Sequence, residues 1–193
     1  MKIFVLKGEF ILRNSNSSRI AVIAEGALCA ALAVVLGYLT LFRMPQGGSI
    51  NLSLVPMFVF AYRHGWKWGI EVGILVGFLE MMLRGYVVHP VQAILDYPLA
   101  FAVIGFCGIW RKNLPALVTG TILAGLARLA CHVVSGVVFF ASYAPEGTSV
   151  LLYSFIYNAA FFFPQLAANM IVALPVFRRI EKIYPRNRNE LAE

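Results

Sequence analysis

Arg128, His132, Ser135 and Phe139 recur at i, i+4, i+7 and i+11 within an apolar segment, so all four share one helical face. Ionisable groups inside an apolar helix are costly in lipid and are expected to face a protein interior or a cavity. After the turn Tyr143-Ala144-Pro145-Glu146-Gly147, a second apolar segment adds Tyr153 and Asn158. Upstream, His89, Gln92 and Asp96 lie at i, i+3 and i+7, again on one face. A carboxylate at such a position needs a cation, a hydrogen-bond network or a proton. Asp96 can meet that need in two ways, through a ligand cation or through an internal pair with Arg128 or His132. Phe140 and Tyr153 sit beside these polar faces and are suited to stack on a ring; aromatic faces also attract cations. Tyr143 reads as part of an interfacial aromatic belt. A carboxylate, an imidazole, phenols and an amide on neighbouring faces predict a binding site for a small, flat, polar molecule.

The elements that position these groups are membrane helices. Of the 193 residues, 60% are hydrophobic and only 13% are charged, a balance that suits a bundle in lipid better than a soluble core. The expected fold is an all-α integral membrane protein, one domain over 1–193. Residues 1–19 form a cytoplasmic or interfacial segment, 20–177 a bundle of about six transmembrane helices, and 178–193 a basic tail. The expected spans run about Ile20–Phe42, Ile50–Tyr62, Trp68–Leu83, Val87–Trp110, Pro115–Ala141 and Ser149–Phe177, the last interrupted at Pro164. The second is short for a full crossing.

The net charge of +7 sits at the span ends, which argues for cytoplasmic anchors and against nucleic-acid binding. Lys2, Lys7, Arg13, Arg19, Arg63, Lys67, Arg111, Lys112, Arg178, Arg179, Lys182, Arg186 and Arg188 fall on one side, against Arg43 and Arg84 on the other. This asymmetry predicts that both termini are cytoplasmic. Asp96 then lies about nine residues into its helix, ~13 Å deep at 1.5 Å per residue. His132, Tyr153 and Asn158 reach a similar depth in the outer half of the membrane.

Small residues in span one, Ala27 with Ala31 and Gly26 with Ala30, permit close approach of a helix, either from a partner or from within the bundle. Gly73 and Gly77 are expected to pack internally. Asn158, Gln165 and Asn169 form a polar seam that reads as helix–helix glue. The three cysteines, Cys29, Cys107 and Cys131, lie in apolar runs and support neither a disulfide framework nor a metal site. No Walker A loop, HExxH, GxSxG or CxxC is present, so any ATP-driven process needs a partner subunit. A membrane enzyme using Asp96 and His132 as acid and base, or a solitary secondary carrier, are the alternatives from other functional classes.

Pro45-Gln46-Gly47-Gly48-Ser49, Gln92-Ala93-Ile94-Leu95-Asp96-Tyr97, His132-Val133-Val134-Ser135-Gly136 and Tyr153-Ser154-Phe155-Ile156-Tyr157-Asn158 follow one another in a distinctive order. In this the chain resembles the thiamine-specific substrate-binding subunit (S component) of energy-coupling factor transporters, over about Ile20 to Phe177. The resemblance implies capture of thiamine from outside, with no cofactor and no catalysis. It implies assembly with a transmembrane coupling protein and two ATPases. Asp96, His132, Tyr153 and Asn158 would contact the ligand, while Tyr86, Tyr97 and Phe140 line or stack on it. Pro45, Gln46, Gly47, Gly48 and Ser49 would form a lid, and Ala27 and Ala31 would meet the coupling protein. The chain has Asp96 where the family often has Glu, and Phe140 where it often has Trp. Another vitamin or a thiamine precursor is the nearest alternative cargo. The chemistry agrees independently, because a buried carboxylate offsets a permanent thiazolium charge and aromatic faces suit both rings.

Overall fold

The computed structural model describes residues 4–6, 9–11, 15–44, 47–111 and 113–183. Two short strands, β1 (Phe4–Leu6) and β2 (Glu9–Ile11), pair antiparallel ahead of the first helix, α1 (Ser15–Tyr38). A second hairpin follows, β3 (Phe42–Met44) with β4 (Gly47–Ile50), with Phe42 opposite Ile50 and Arg43 opposite Ser49. The chain continues through α2 (Leu54–His64), α3 (Trp66–Arg84), α4 (Pro90–Trp110), α5 (Leu114–Phe139) and α6 (Val150–Ile183).

The expectation of six membrane crossings is corrected here. Among the described residues, four helices are long and apolar enough to cross a membrane: α1 over Ser18–Tyr38, α4, α5 and α6. The physical reasons are visible in the other two helices. α2 has 11 residues, about 16 Å at 1.5 Å per residue, roughly half the hydrocarbon thickness. α3 has 19 residues but carries Lys67, Glu71, Glu80 and Arg84. With four crossings in place of six, the alternation of loops on which the placement of both termini rested no longer follows.

α2 lies within the bundle. Leu54, Phe58 and Ala61 are fully buried and belong to the same apolar cluster as Val76, Ile104, Leu117 and Phe162. A single residue, Gly65 at φ 90°, reverses the chain between α2 and α3, a conformation that L side chains rarely adopt. α3 packs on α4 through small residues. A methyl group at Gly77 would sit 2.6 Å from Pro98 Cα, and one at Gly69 would sit 2.9 Å from Gly105 Cα. The close approach of these backbones fixes the level of the middle of α4 against α3.

Two further expectations are resolved. α6 continues through Pro164 and Pro175 without the interruption expected at Pro164. On α1 the two small-residue pairs face opposite ways. Gly26 and Ala30 are buried, with Gly26 against Val72 and Phe60, whereas Ala27 and Ala31 are exposed. α5 begins where the turn chemistry predicts, with the Asn113 side chain accepting from the Ala116 N–H at 2.9 Å and Pro115 in the first turn.

Candidate functional site

The site is built first by α4. His89 caps this helix, its Nδ1 accepting from the Val91 N–H at 3.1 Å, and its ring stacks on Phe139 at 5.0 Å. Both side chains are thereby engaged with each other. From Leu95 to Leu99 the helix widens into one π turn around Pro98. Proline has no N–H to complete the α ladder, and such turns often occur at functional sites. This turn carries Asp96 and Tyr97.

Asp96 is held from two helices. Its Oδ2 accepts from Gln92 Nε2 at 2.7 Å and from Ser135 Oγ at 2.7 Å. Its Oδ1 lies 2.9 Å from His132 Nδ1. The face predicted on α5 thus points at α4 through His132 and Ser135. His132 Nε2 is buried without a hydrogen-bond partner among the described residues.

α6 supplies a third wall. Tyr153, Tyr157, Phe161 and Gln165 follow at intervals of four, on one face. The Tyr153 and Tyr157 rings stack at 6.2 Å, and Phe161 meets His132 edge-on at 6.1 Å. Asn158 Nδ2 donates to the Ser154 carbonyl at 2.9 Å and to the His132 carbonyl at 3.4 Å. Its amide nitrogen therefore ties α6 to α5, and Oδ1 is the atom left for another donor.

These groups surround a cavity of about 680 Å³. Asp96, Tyr97, His132, Phe140, Tyr153, Asn158 and Tyr86 all line it. Tyr86 and Phe140 stack at 6.2 Å and make an aromatic edge, with Tyr143 beside Phe140 at 6.1 Å. Tyr143, expected in an interfacial belt, also lines the cavity.

The β3–β4 hairpin borders the same space. Gly48 and Ser49 line it, while Pro45 and Gln46 lie outside the described residues and Gly47 is described only as part of β4. Gly48 adopts φ +59°, and a methyl group there would sit 2.6 Å from the Phe161 ring. Glycine is required at this position both by the backbone conformation and by the close approach. Ala27 and Ala31 lie away from the cavity, on the exposed face of α1.

Four other charged residues, Arg43, Glu80, Arg84 and Arg128, also line the cavity. Glu80, 4% exposed, pairs with Arg84, which also donates to the Gly37 carbonyl. Arg128 is buried with its guanidinium 4.0 Å over the Phe101 ring, and its Nε and Nη1 have no hydrogen-bond partner among the described residues. Among the described residues no cluster of His, Cys, Asp and Glu could hold a metal ion.

Tyr157 and Phe161 are not among the residues expected at the site, although their four-residue spacing with Tyr153 marks one aromatic face of α6. Gln165 is expected from its spacing to act as helix glue. It does hydrogen-bond to Asn51 at 3.1 Å, but it lines the cavity as well. Gln92 was placed on the right face, without a partner.

A family model described as "Thiamine transporter protein" matches residues 23–184. The thiamine transporter ThiT of Bacillus subtilis is 35% identical over 179 residues, covering 84% of this chain and 93% of that protein. ThiT of Lacticaseibacillus paracasei is 33% identical over 157 residues, covering 72% and 78%. A solved structure of ThiT from Listeria monocytogenes superposes with a TM-score of 0.76 at 30% identity, covering 86% of this chain and 97% of that one. The S component of a bacterial ECF transporter shares the fold, with a TM-score of 0.62 at 18% identity. By the extent of these matches, the chain is a multi-pass membrane protein that belongs to the thiamine transporter family.

Proposed function

We propose that this chain is the thiamine-capturing S component of an energy-coupling factor transporter, and that the cavity between α4, α5, α6 and the β3–β4 hairpin is its ligand site. The observation that carries the reading is the Asp96 carboxylate. It is held by an amide, a hydroxyl and an imidazole, with no Lys or Arg among the described residues bonded to it, at the wall of an aromatic-lined cavity. A carboxylate so placed can offset a permanent ring cation. Asp96 and His132 take the thiazolium side. Tyr153 and Asn158 Oδ1 are placed to hydrogen-bond the aminopyrimidine edge. Phe140 with Tyr86 supplies a stacking face, and Tyr97 lines the wall. The hairpin carrying Gly48 and Ser49 covers the ligand.

The exposed face of α1 is the surface for the transmembrane coupling protein, with Ala27 and Ala31 allowing close helix approach. Two ATPases of that module supply the energy.

Titration of the purified protein with thiamine tests the cargo. Saturable binding is expected; none, with tight binding of another vitamin, rejects it. Ala31→Trp should block uptake in cells while leaving thiamine affinity unchanged. Loss of affinity would place that face inside the fold of the binding unit.

A further inference from the structure

We infer that Gln92 is a positioning residue for the ligand: its amide ties the Asp96 carboxylate to the Tyr86 main chain, so the anion and the aromatic edge are set as one unit. The inference rests on the thiamine reading above.

Gln92 is 1% exposed. Its Nε2 donates to Asp96 Oδ2 at 2.7 Å and to the Tyr86 carbonyl at 3.1 Å. Its Oε1 accepts from the Val88 N–H at 3.1 Å. Both amide hydrogens and one oxygen lone pair are engaged, and two acceptors facing one donor settle which way the amide points. The Tyr97 hydroxyl accepts from the Tyr86 N–H at 2.7 Å. The main chain of Tyr86 is therefore held at both its carbonyl and its N–H by side chains that flank Asp96 on α4. The Tyr86 ring then meets Phe140.

This arrangement separates positioning from folding. Tyr86 and Val88 are each 50% exposed, so water can satisfy their main-chain groups when the amide is removed. Asp96 would keep Ser135 and His132 and the fold would persist. What is lost is the second donor on Oδ2, so the carboxylate can rotate away from the cation, while the Tyr97 hydroxyl still holds the Tyr86 N–H and with it the aromatic edge. The loss should follow the charge of the ligand. A residue that only fills space would affect charged and neutral ligands alike.

The test compares thiamine with an analogue whose thiazolium is replaced by an uncharged thiophene, by titration of the full chain in detergent. Gln92→Met should weaken thiamine roughly tenfold, the size of one hydrogen bond to a charged group. The neutral analogue should change much less. In the Asp96→Asn background, Gln92→Met should add little further loss for thiamine, because its partner is already gone. Gln92→Asn, too short to bridge, should behave like Gln92→Met and serves if that variant does not fold. Equal losses for charged and neutral ligands, or fully additive losses in the double variant, overturn the inference and leave the thiamine site standing. Unchanged thiamine affinity in Asp96→Asn alone overturns both.

Discussion

Two carboxylates line the same cavity and are treated differently by the fold. Glu80 on α3 is neutralised within the protein by Arg84, one helical turn away. Asp96 on α4 receives the amide of Gln92, the hydroxyl of Ser135 and the imidazole of His132. Burying a charge is tolerable only with compensation, and the compensation differs in kind. At Glu80 it is a protein cation, and the pair also braces the end of α1 through the Gly37 carbonyl. At Asp96 it is hydrogen bonding, which orients the charge, and among the described residues no Lys or Arg is bonded to it. The first carboxylate reads as architecture and the second as recognition, although hydropathy would count them as equal.

Substitutions can break that contrast. Glu80→Gln leaves a mostly buried guanidinium without its partner, and should lower unfolding stability by about 3 kcal/mol. Thermal unfolding in detergent measures this, and thiamine affinity should fall less than in the next variant. Asp96→Asn should fold nearly as well but lose about 2 kcal/mol or more of thiamine binding, if the carboxylate faces the cation in a water-poor site. The reverse pattern, with Glu80→Gln the weaker binder and Asp96→Asn the less stable fold, would exchange the two roles. Phe140→Ala sharpens the picture with the smallest effect. Loss of one stacked face should cost about 1 kcal/mol of binding, and a titration would show it for charged and neutral ligands alike.

Much of this site was legible in the residues. The spacing of Arg128, His132 and Ser135 marked the interior face of α5, and the i, i+7 relation of His89 to Asp96 marked that of α4. Ordered motifs pointed to the family. The aromatic row Tyr153, Tyr157, Phe161 was present but only partly used. The main-chain partners of Gln92 were not legible, because they depend on a loop folding back over the first turn of α4. The crossing count failed for a related reason. Ile50–Tyr62 and Trp68–Leu83 are apolar enough to suggest spans, but segment hydropathy sums transfer cost without asking what covers the segment. In α2, protein covers it.

The sequence by itself determined the membrane class, the apolar helices and the polar groups they carry. Those follow from local composition and helical period, which each segment possesses alone. The structure decided where each helix begins and ends, which leaves four long and apolar enough to cross, and tertiary packing decided that Ala27 faces out while Gly26 faces in and that Asp96 meets His132 rather than Arg128. Those outcomes depend on which backbones approach each other. Approach was set by glycines such as Gly77, whose missing side chain lets α3 meet the π turn of α4 at Tyr97 and Pro98.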